Sequence, residues 1–470
     1  MMSSTLSSSP TITAVDPSTG EPGMAFAVAG AAEVEAAVAA AHRAQPAWAA
    51  TPATERAAAL RRVASAIRGH REELARRNAV DSGKLIGDAR GGVDAAAATI
   101  EQYAELGPLH RGRALDGDRL AFDAMRYEPR GVVAALVPFN DPIAVAGQGL
   151  AAALAPGNAV VYKPSERTPS CAALLAELFA AHLPDGVLML VQGDARTGRP
   201  LVAHAGVAVV LHTGTADTGR EIARTCAARG AHAVLELGGN DPLIVDEGVD
   251  PAWAAEQAAS GAFANAGQIC VSVERIYVHA RLAAPFLEAL ERRARALRVG
   301  PALDAATQLG PLVDERARMS VHAQVAAATA AGAQVVCGGA PIDGPGCFYP
   351  ATVLTAVTDD MAVMAHETFG PVASVRVVES FDEALALANS SPYGLAATAL
   401  TCSQQHAARA AAELRVGTVK VNAVWGGAPG GAAHPRGISG SALGYGPELL
   451  DELTQVKAVH LEPGVPGPAR

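Results

Sequence analysis

The chain has 470 residues, half of them apolar, and 37 Lys and Arg stand against 47 Asp and Glu for a formal charge of −10. That length can bury large cores in two or three packed domains, and an acidic chain with no basic block or aromatic-interleaved basic stripe excludes a nucleic-acid partner. No apolar run approaches the roughly 18 residues of a membrane span, and the Ser-rich opening Met1 to Pro10 lacks the regions of a signal peptide, so the sequence predicts a soluble, cytoplasmic protein with no membrane partner.

In chain order, Pro10 to Gly30 reads as turn-rich, after which Val34, Ala37, Val38 and Ala41 mark one helix face. A second helical stretch carries Leu60, Val63, Ile67 and Leu74. From Gly131 short β-branched runs alternate with Ala/Leu-rich helices, the pattern of a parallel sheet covered by helices. Strands are predicted at Val132 to Val137, Ala159 to Tyr162, Val187 to Val191, Val207 to Leu211 and Ala233 to Leu235, with helices such as Cys171 to His182 and Thr218 to Arg229 between them. Such an arrangement predicts a doubly wound nucleotide-binding sheet. Beyond Gly239 the alternation resumes with a strand Pro242 to Val245, a helix Pro251 to Ala264, a strand Ile276 to His279 and a helix Ala283 to Ala296, which reads as a second α/β domain. The Gly-rich stretch Gly426 to Gly446 reads as an ordered loop near a site or interface.

Cysteines at 171, 226, 270, 337, 347 and 402 form no CxxC pair and no zinc spacing, so neither a metal site nor a disulfide framework is expected. Cys270 differs from the others because the helix before it runs through Asn265-Ala266-Gly267-Gln268-Ile269, a Gly-containing turn able to expose the sulfur. Thirty-four residues upstream, Glu236 ends an apolar run before Gly238-Gly239, where partial burial raises a carboxyl toward a useful base. Asn140 follows Val137-Pro138-Phe139 at the carboxyl end of a strand, where open α/β sheets bind ligands. Singly, each residue also fits an ordinary structural role: a packed thiol, a solvated turn, a helix cap. Together they form a reaction plan, with a thiolate to attack a carbonyl, an amide and a backbone N–H to hold the oxyanion, and a carboxylate to activate water.

These segments resemble the aldehyde dehydrogenase superfamily over nearly the whole chain. The matching patterns, in order, are Gly131-Val132-Val133 through Asn140, Lys163-Pro164-Ser165-Glu166, Thr213-Gly214-Thr215 through Gly219, Glu236-Leu237-Gly238-Gly239, Asn265 to Cys270, and Glu367-Thr368-Phe369-Gly370-Pro371. The resemblance implies Cys270 as nucleophile, Glu236 as general base, and Asn140 with the Cys270 N–H as oxyanion hole. The expected reaction is oxidation of an aldehyde to a carboxylic acid with NAD through a cysteine thioester, aided by a local field that lowers the Cys270 pKa. Coenzyme A-acylating relatives resemble this chain without Glu236. They remain the first alternative, and a non-catalytic relative of the fold remains the second.

Cofactor contacts are expected at Lys163 and Glu166, whose carboxylate suits the adenosine ribose hydroxyls and repels a 2′-phosphate. They are also expected at Val137, Phe139, Gly193 (in a looser version of the dinucleotide fingerprint), Gly214, Thr215, Leu237, Glu367 and Phe369. Candidate substrate residues are Asp141, Gln148, Ile269, Val271 and Arg436. If Pro435 corresponds to the family's Pro-Phe-Gly-Gly proline, Arg436 stands where many relatives place a pocket-lining Phe, which predicts a short polar or anionic aldehyde. An outward Arg436, or one paired with Asp141, is the competing expectation. Ala264 stands where succinate-semialdehyde dehydrogenases place Arg, and Val273 to Val278 resembles members acting on short hydroxyaldehydes such as lactaldehyde. The implied fold is α/β, with an NAD-binding domain (1–109 and 131–238), a catalytic domain (239–437) and an oligomerisation or bridging element (110–130 and 438–470), assembled as a homodimer or homotetramer.

Overall fold

The computed structural model describes residues 10–427 and 431–464. Most of the Ser-rich opening, positions 428–430 of the Gly-rich stretch and the last six residues of the expected bridging element fall outside that range.

Six strands form the first sheet in the order Gly440–Ser441, His232–Leu237, Val209–Gly214, Val132–Leu136, Ala159–Lys163, Leu188–Leu190. The last five are parallel and match the five predicted strands to within about two residues at most ends. Strand Val132–Leu136 is buried over its first four residues and Ala159–Lys163 throughout, because helices cover both faces. That is why these segments read as continuous apolar runs rather than alternating ones. The helix Ala31–Ala50 packs Val34, Ala37, Val38 and Ala41 into this core, as their spacing predicts.

Seven strands form the second sheet in the order Gln334–Cys337, Thr352–Thr355, Val372–Val378, Val273–His279, Asp241–Val245, Ala396–Leu400, Thr418–Val421, with only the first pairing antiparallel. A third, antiparallel sheet joins Arg113–Leu115, Phe122–Pro129 and Thr454–Leu461.

The structure departs from the sequence reading in three places. Pro10 to Gly30 holds an antiparallel hairpin, Thr11–Val15 with Pro22–Ala27. The second helical stretch divides into Ala53–Gly69 and Arg71–Ser82, with His70 between them at φ −106° and ψ 20°. Gly69 weakens the helix there, and the His70 ring meets the Ala66 carbonyl at 2.9 Å, which satisfies one end group. The expected bridging segment 438–470 is not one unit. Gly440–Ser441 pairs with Glu236 and Leu235 of the first sheet, Leu449, Leu450 and Leu453 lie in the core on the sheet face opposite helix Ala31–Ala50, and only Thr454–Leu461 joins the third sheet. Among the described residues, no helix is long and apolar enough to cross a membrane.

Candidate active site

The carboxyl ends of the parallel strands of the first sheet open onto a cavity of about 600 Å³, lined by Val137, Phe139, Lys163, Glu166, Gly198, Gly214 and Thr215 among others. It continues into a second cavity of about 340 Å³ lined by Asn140, Leu237, Gly238, Cys270, Glu367 and Phe369. Pro138, Phe139, Arg167, Thr213, Gly214, Thr215 and Arg316 border both. Behind this neck, Glu236 lines a much smaller space with Val137, Gln148, Thr213, Gly444 and Tyr445.

Local backbone geometry delivers the sulfur. Helix Pro251–Phe263 ends, and Asn265 and Ala266 both turn left-handed, at φ 50° and 54°, followed by Gly267 at φ 72°. A Cβ on Gly267 would lie 2.0 Å from the Gly370 carbonyl, so glycine lets the Cys270 turn lie directly against the Glu367–Pro371 turn. The two left-handed non-glycine residues carry strain, of the kind held in place at functional sites. Side chains clamp the turn. Asn265 Nδ2 donates to the carbonyls of Asn140 and Gln268, each at 3.2 Å, and Gln268 Oε1 accepts the Val313 N–H at 3.0 Å. Asn265 thereby ties the backbone of Asn140 to the turn that carries Cys270.

Gly238 and Gly239 let other parts of the protein approach closely. A Cβ on Gly238 would sit 2.0 Å from Glu367 Oε2, and one on Gly239 would sit 2.4 Å from the Cys270 carbonyl. Three carboxyls consequently crowd the sulfur. Burial, then Glu367, Asp241 and Glu236, push the Cys270 thiol up to about 12. The expected lowering is therefore not supplied by the chain. Burial raises Glu236 to about 8, against the pull of the Gly444 N–H, which donates to Oε1 at 2.9 Å. Burial and the nearby Glu274 carboxyl hold Glu367 well above the carboxylate range.

Other predicted site residues fall in and out of this arrangement. Lys163 is buried, its Nζ donating to the Pro164 carbonyl at 2.9 Å, and burial lowers its pKa. Phe139 meets Phe369 edge to face at 5.8 Å. Gln148 Nε2 donates to the Gly444 carbonyl at 2.7 Å and so steadies the loop whose N–H holds Glu236. Gly193, at φ 148°, lines neither large cavity. A Cβ there would meet Thr197 Oγ1 at 1.9 Å, so it serves close packing while Gly198 faces the space. Asp141 pairs with Lys84 at 2.8 Å rather than with Arg436. Arg436 is exposed, on a two-residue strand paired with Tyr393–Gly394, and lines none of these cavities. That exposure matches the outward alternative rather than an anion receptor in these cavities. Ile269 and Val271 flank Cys270 half-buried, outside the three cavities.

The aldehyde dehydrogenase family model matches residues 5–459. The chain belongs to the aldehyde dehydrogenase family. It is 39% identical over 462 residues to a betaine aldehyde dehydrogenase of Cereibacter sphaeroides, covering 96% of this chain and 94% of the relative. Among solved structures it resembles an NADP-dependent enzyme of E. coli at 33% identity, with a TM-score of 0.93 over 96% of this chain and 95% of that one. It also resembles the betaine aldehyde dehydrogenase of Staphylococcus aureus in complex with NAD+ at 30% identity, with a TM-score of 0.94 over 97% of this chain and 92% of that one. As a family member the chain is an oxidoreductase acting on aldehydes.

Among the residues that sequence reasoning missed, Glu274 organises this aldehyde dehydrogenase site. Glu274 is 3% exposed inside a wholly buried strand and accepts the Thr368 N–H at 2.8 Å and the Phe369 N–H at 2.9 Å. It thus holds Phe369 at φ 51°. A carboxylate within Val273-Glu274-Arg275-Ile276-Tyr277 was the available signal, since a fully buried strand rarely carries a charge without a specific partner. Glu274→Leu is expected to orphan two buried N–H donors and to cost about 2–5 kcal/mol of stability, read as a lowered unfolding midpoint together with weaker cofactor binding. An unchanged midpoint and unchanged binding would deny it that role.

Proposed function

We propose that the chain oxidises a short, polar aldehyde to its carboxylic acid with NAD+, through a thioester on Cys270. What carries this reading is the meeting of Cys270, Asn140, Glu367 and Phe369 on one cavity that continues to Lys163 and Glu166. The joined space has the size and the mixed apolar and polar lining of a cofactor site. Lys163 and Glu166 would hold the adenosine ribose, Thr215 and the helix it caps would meet phosphate, and Glu367 and Phe369 would seat the nicotinamide end. When bound, the cofactor accepts the hydride lost as the thiohemiacetal becomes a thioester.

The chain does the rest. The Cys270 thiol releases its proton to solvent and the sulfur bonds to the aldehyde carbon, while the Asn140 amide and the Cys270 N–H receive the developing oxyanion. Glu236 then takes a proton from water, whose oxygen attacks the thioester carbon, and the carbon–sulfur bond breaks to release the acid and restore the thiol. Glu236, held at this site, favours hydrolysis over transfer to coenzyme A. The polar substrate class is supported by the similarity to a relative named for betaine aldehyde.

We also propose the tripartite division at 1–109 with 131–238, 239–437, and the third sheet as the surface that makes a homodimer or homotetramer. Leu115, Leu120, Phe122, Val456 and Leu461, on or beside that sheet, are all more than 40% exposed, a grouping of large apolar side chains suited to a subunit contact.

The test is the initial rate on a panel of neutral, anionic and cationic short aldehydes, with NAD+ or NADP+ and with or without coenzyme A. NAD+ is expected to give the higher kcat/KM without coenzyme A, because Glu166 rejects a 2′-phosphate bearing nearly two charges. Glu166→Ser is expected to narrow that preference by about tenfold. A wild-type preference for NADP+ would remove Glu166 from this role, and dependence on coenzyme A would replace hydrolysis by acyl transfer.

A further inference from the structure

Lys163 and Glu166 border only the outer of the two joined cavities, whereas Cys270 and Glu367 border only the inner one. A dinucleotide lying across both must pass its diphosphate, the segment with two negative charges, through the neck between them. Two cations border that neck, Arg167 and Arg316.

We propose that Arg167 and Arg316 form a clamp for the diphosphate of the dinucleotide, an inference that rests on the seat proposed above. The two come from distant parts of the chain and meet through one residue. Asp314 caps helix Glu315–Ala330 and forms an ion pair with Arg167, its Oδ2 2.8 Å from Nε, while Arg316 stands in the first turn of the same helix. Arg167 is also fixed from the other side, its guanidinium lying 4.6 Å from the centre of the Phe139 ring. With Nε engaged by Asp314, its terminal amino groups remain to face a ligand. Arg316 is exposed and has no ion pair or hydrogen bond among the described residues. By contrast Arg199, on the outer cavity wall, is already committed to Glu221 at 3.0 Å. A planar guanidinium presents paired donors that match phosphate oxygens, so one anchored and one uncommitted arginine at a neck suit a diphosphate better than a single lysine would.

The experiment compares ADP-ribose, which carries the diphosphate, with adenosine, which does not, by calorimetric titration of the intact protein at low and high salt. Arg316→Gln removes no contact within the described chain, and it is expected to weaken ADP-ribose about tenfold at low salt while leaving adenosine unchanged. Arg167→Gln should do the same, with its melting curve recorded because it also breaks the Asp314 pair. The loss in both variants should shrink as salt rises, since screening already weakens the wild-type contact. ADP-ribose affinity within twofold of wild type in both variants, or an equal loss for adenosine, would overturn the clamp. A wild-type protein that binds adenosine but gains nothing from the diphosphate would overturn it too. If neither compound binds the wild type, the proposed seat falls and the clamp with it.

Discussion

Cys270→Ser is expected to reduce aldehyde oxidation by about 10³-fold or more while the cofactor still binds. The sulfur can attack only once ionised, and it already starts from a thiol pushed up to about 12 by burial and by the carboxyls of Glu367, Asp241 and Glu236. A serine hydroxyl in the same surroundings gives up its proton far less readily, and among the described residues no other thiol borders the inner cavity to make a thioester. Cofactor affinity should stay within about threefold of wild type, because the residues bordering the outer cavity are untouched. In the cofactor-free protein, alkylation of Cys270 should be slow at neutral pH and accelerate toward alkaline pH. A serine variant that retains a tenth of the wild-type turnover would end the thioester mechanism.

Glu236→Gln should instead lower steady turnover by about 10²–10⁴-fold and spare the first round of hydride release, since the missing step is activation of water. The pH profile carries a second signature. With the carboxyl held at about 8, the basic form becomes the major one only above that pH, so wild-type kcat should climb through about 8 where hydrolysis limits the rate. The glutamine variant should lack that limb. Stability changes in the opposite sense. An ordinary glutamate ionises near 4.5, so between there and about 8 the folded chain retains a proton that the unfolded chain releases. The ionisation-linked cost is absent below about pH 4.5, grows between there and about 8, and levels off above about 8. The variant's unfolding midpoint should therefore overtake the wild type's in alkaline buffer. A variant with wild-type turnover and no gain in alkaline stability would show that the carboxyl is neither the base nor buried as described.

The elements that sequence made legible are those whose side chains pay for their own burial. Val132–Leu136 and Ala159–Lys163 are β-branched and apolar because both faces of the parallel sheet are covered. Gly440–Ser441 carries no such pattern. It joins the same sheet through backbone pairing with Glu236 and Leu235, and nothing in two small residues announces that. The same contrast runs through the site. Cys270, Glu236 and Asn140 were readable as a set because the order and spacing of their motifs is specific. Arg167 and Glu274 were not, since each acts through a partner far along the chain, Asp314 for one and Thr368 with Phe369 for the other. For Arg436 the inward and outward alternatives stayed open because its place depends on a strand pairing with Tyr393–Gly394 that loop composition does not encode. The field at the sulfur was misjudged because Gly238 and Gly239 bring Glu367 and the Cys270 carbonyl closer than any local pattern suggests.

The crowd of carboxyls has a consequence for durability. Peroxides and other soft electrophiles react with a cysteine in proportion to its ionised fraction, which is why low-pKa cysteines are the ones lost first to sulfenic and sulfinic acids. A sulfur kept protonated by its burial and by the carboxyls around it is a poor target. The idle protein should therefore tolerate oxidants that would inactivate an enzyme whose nucleophile is always armed, and its exposure to irreversible damage should be confined to the brief intervals of turnover.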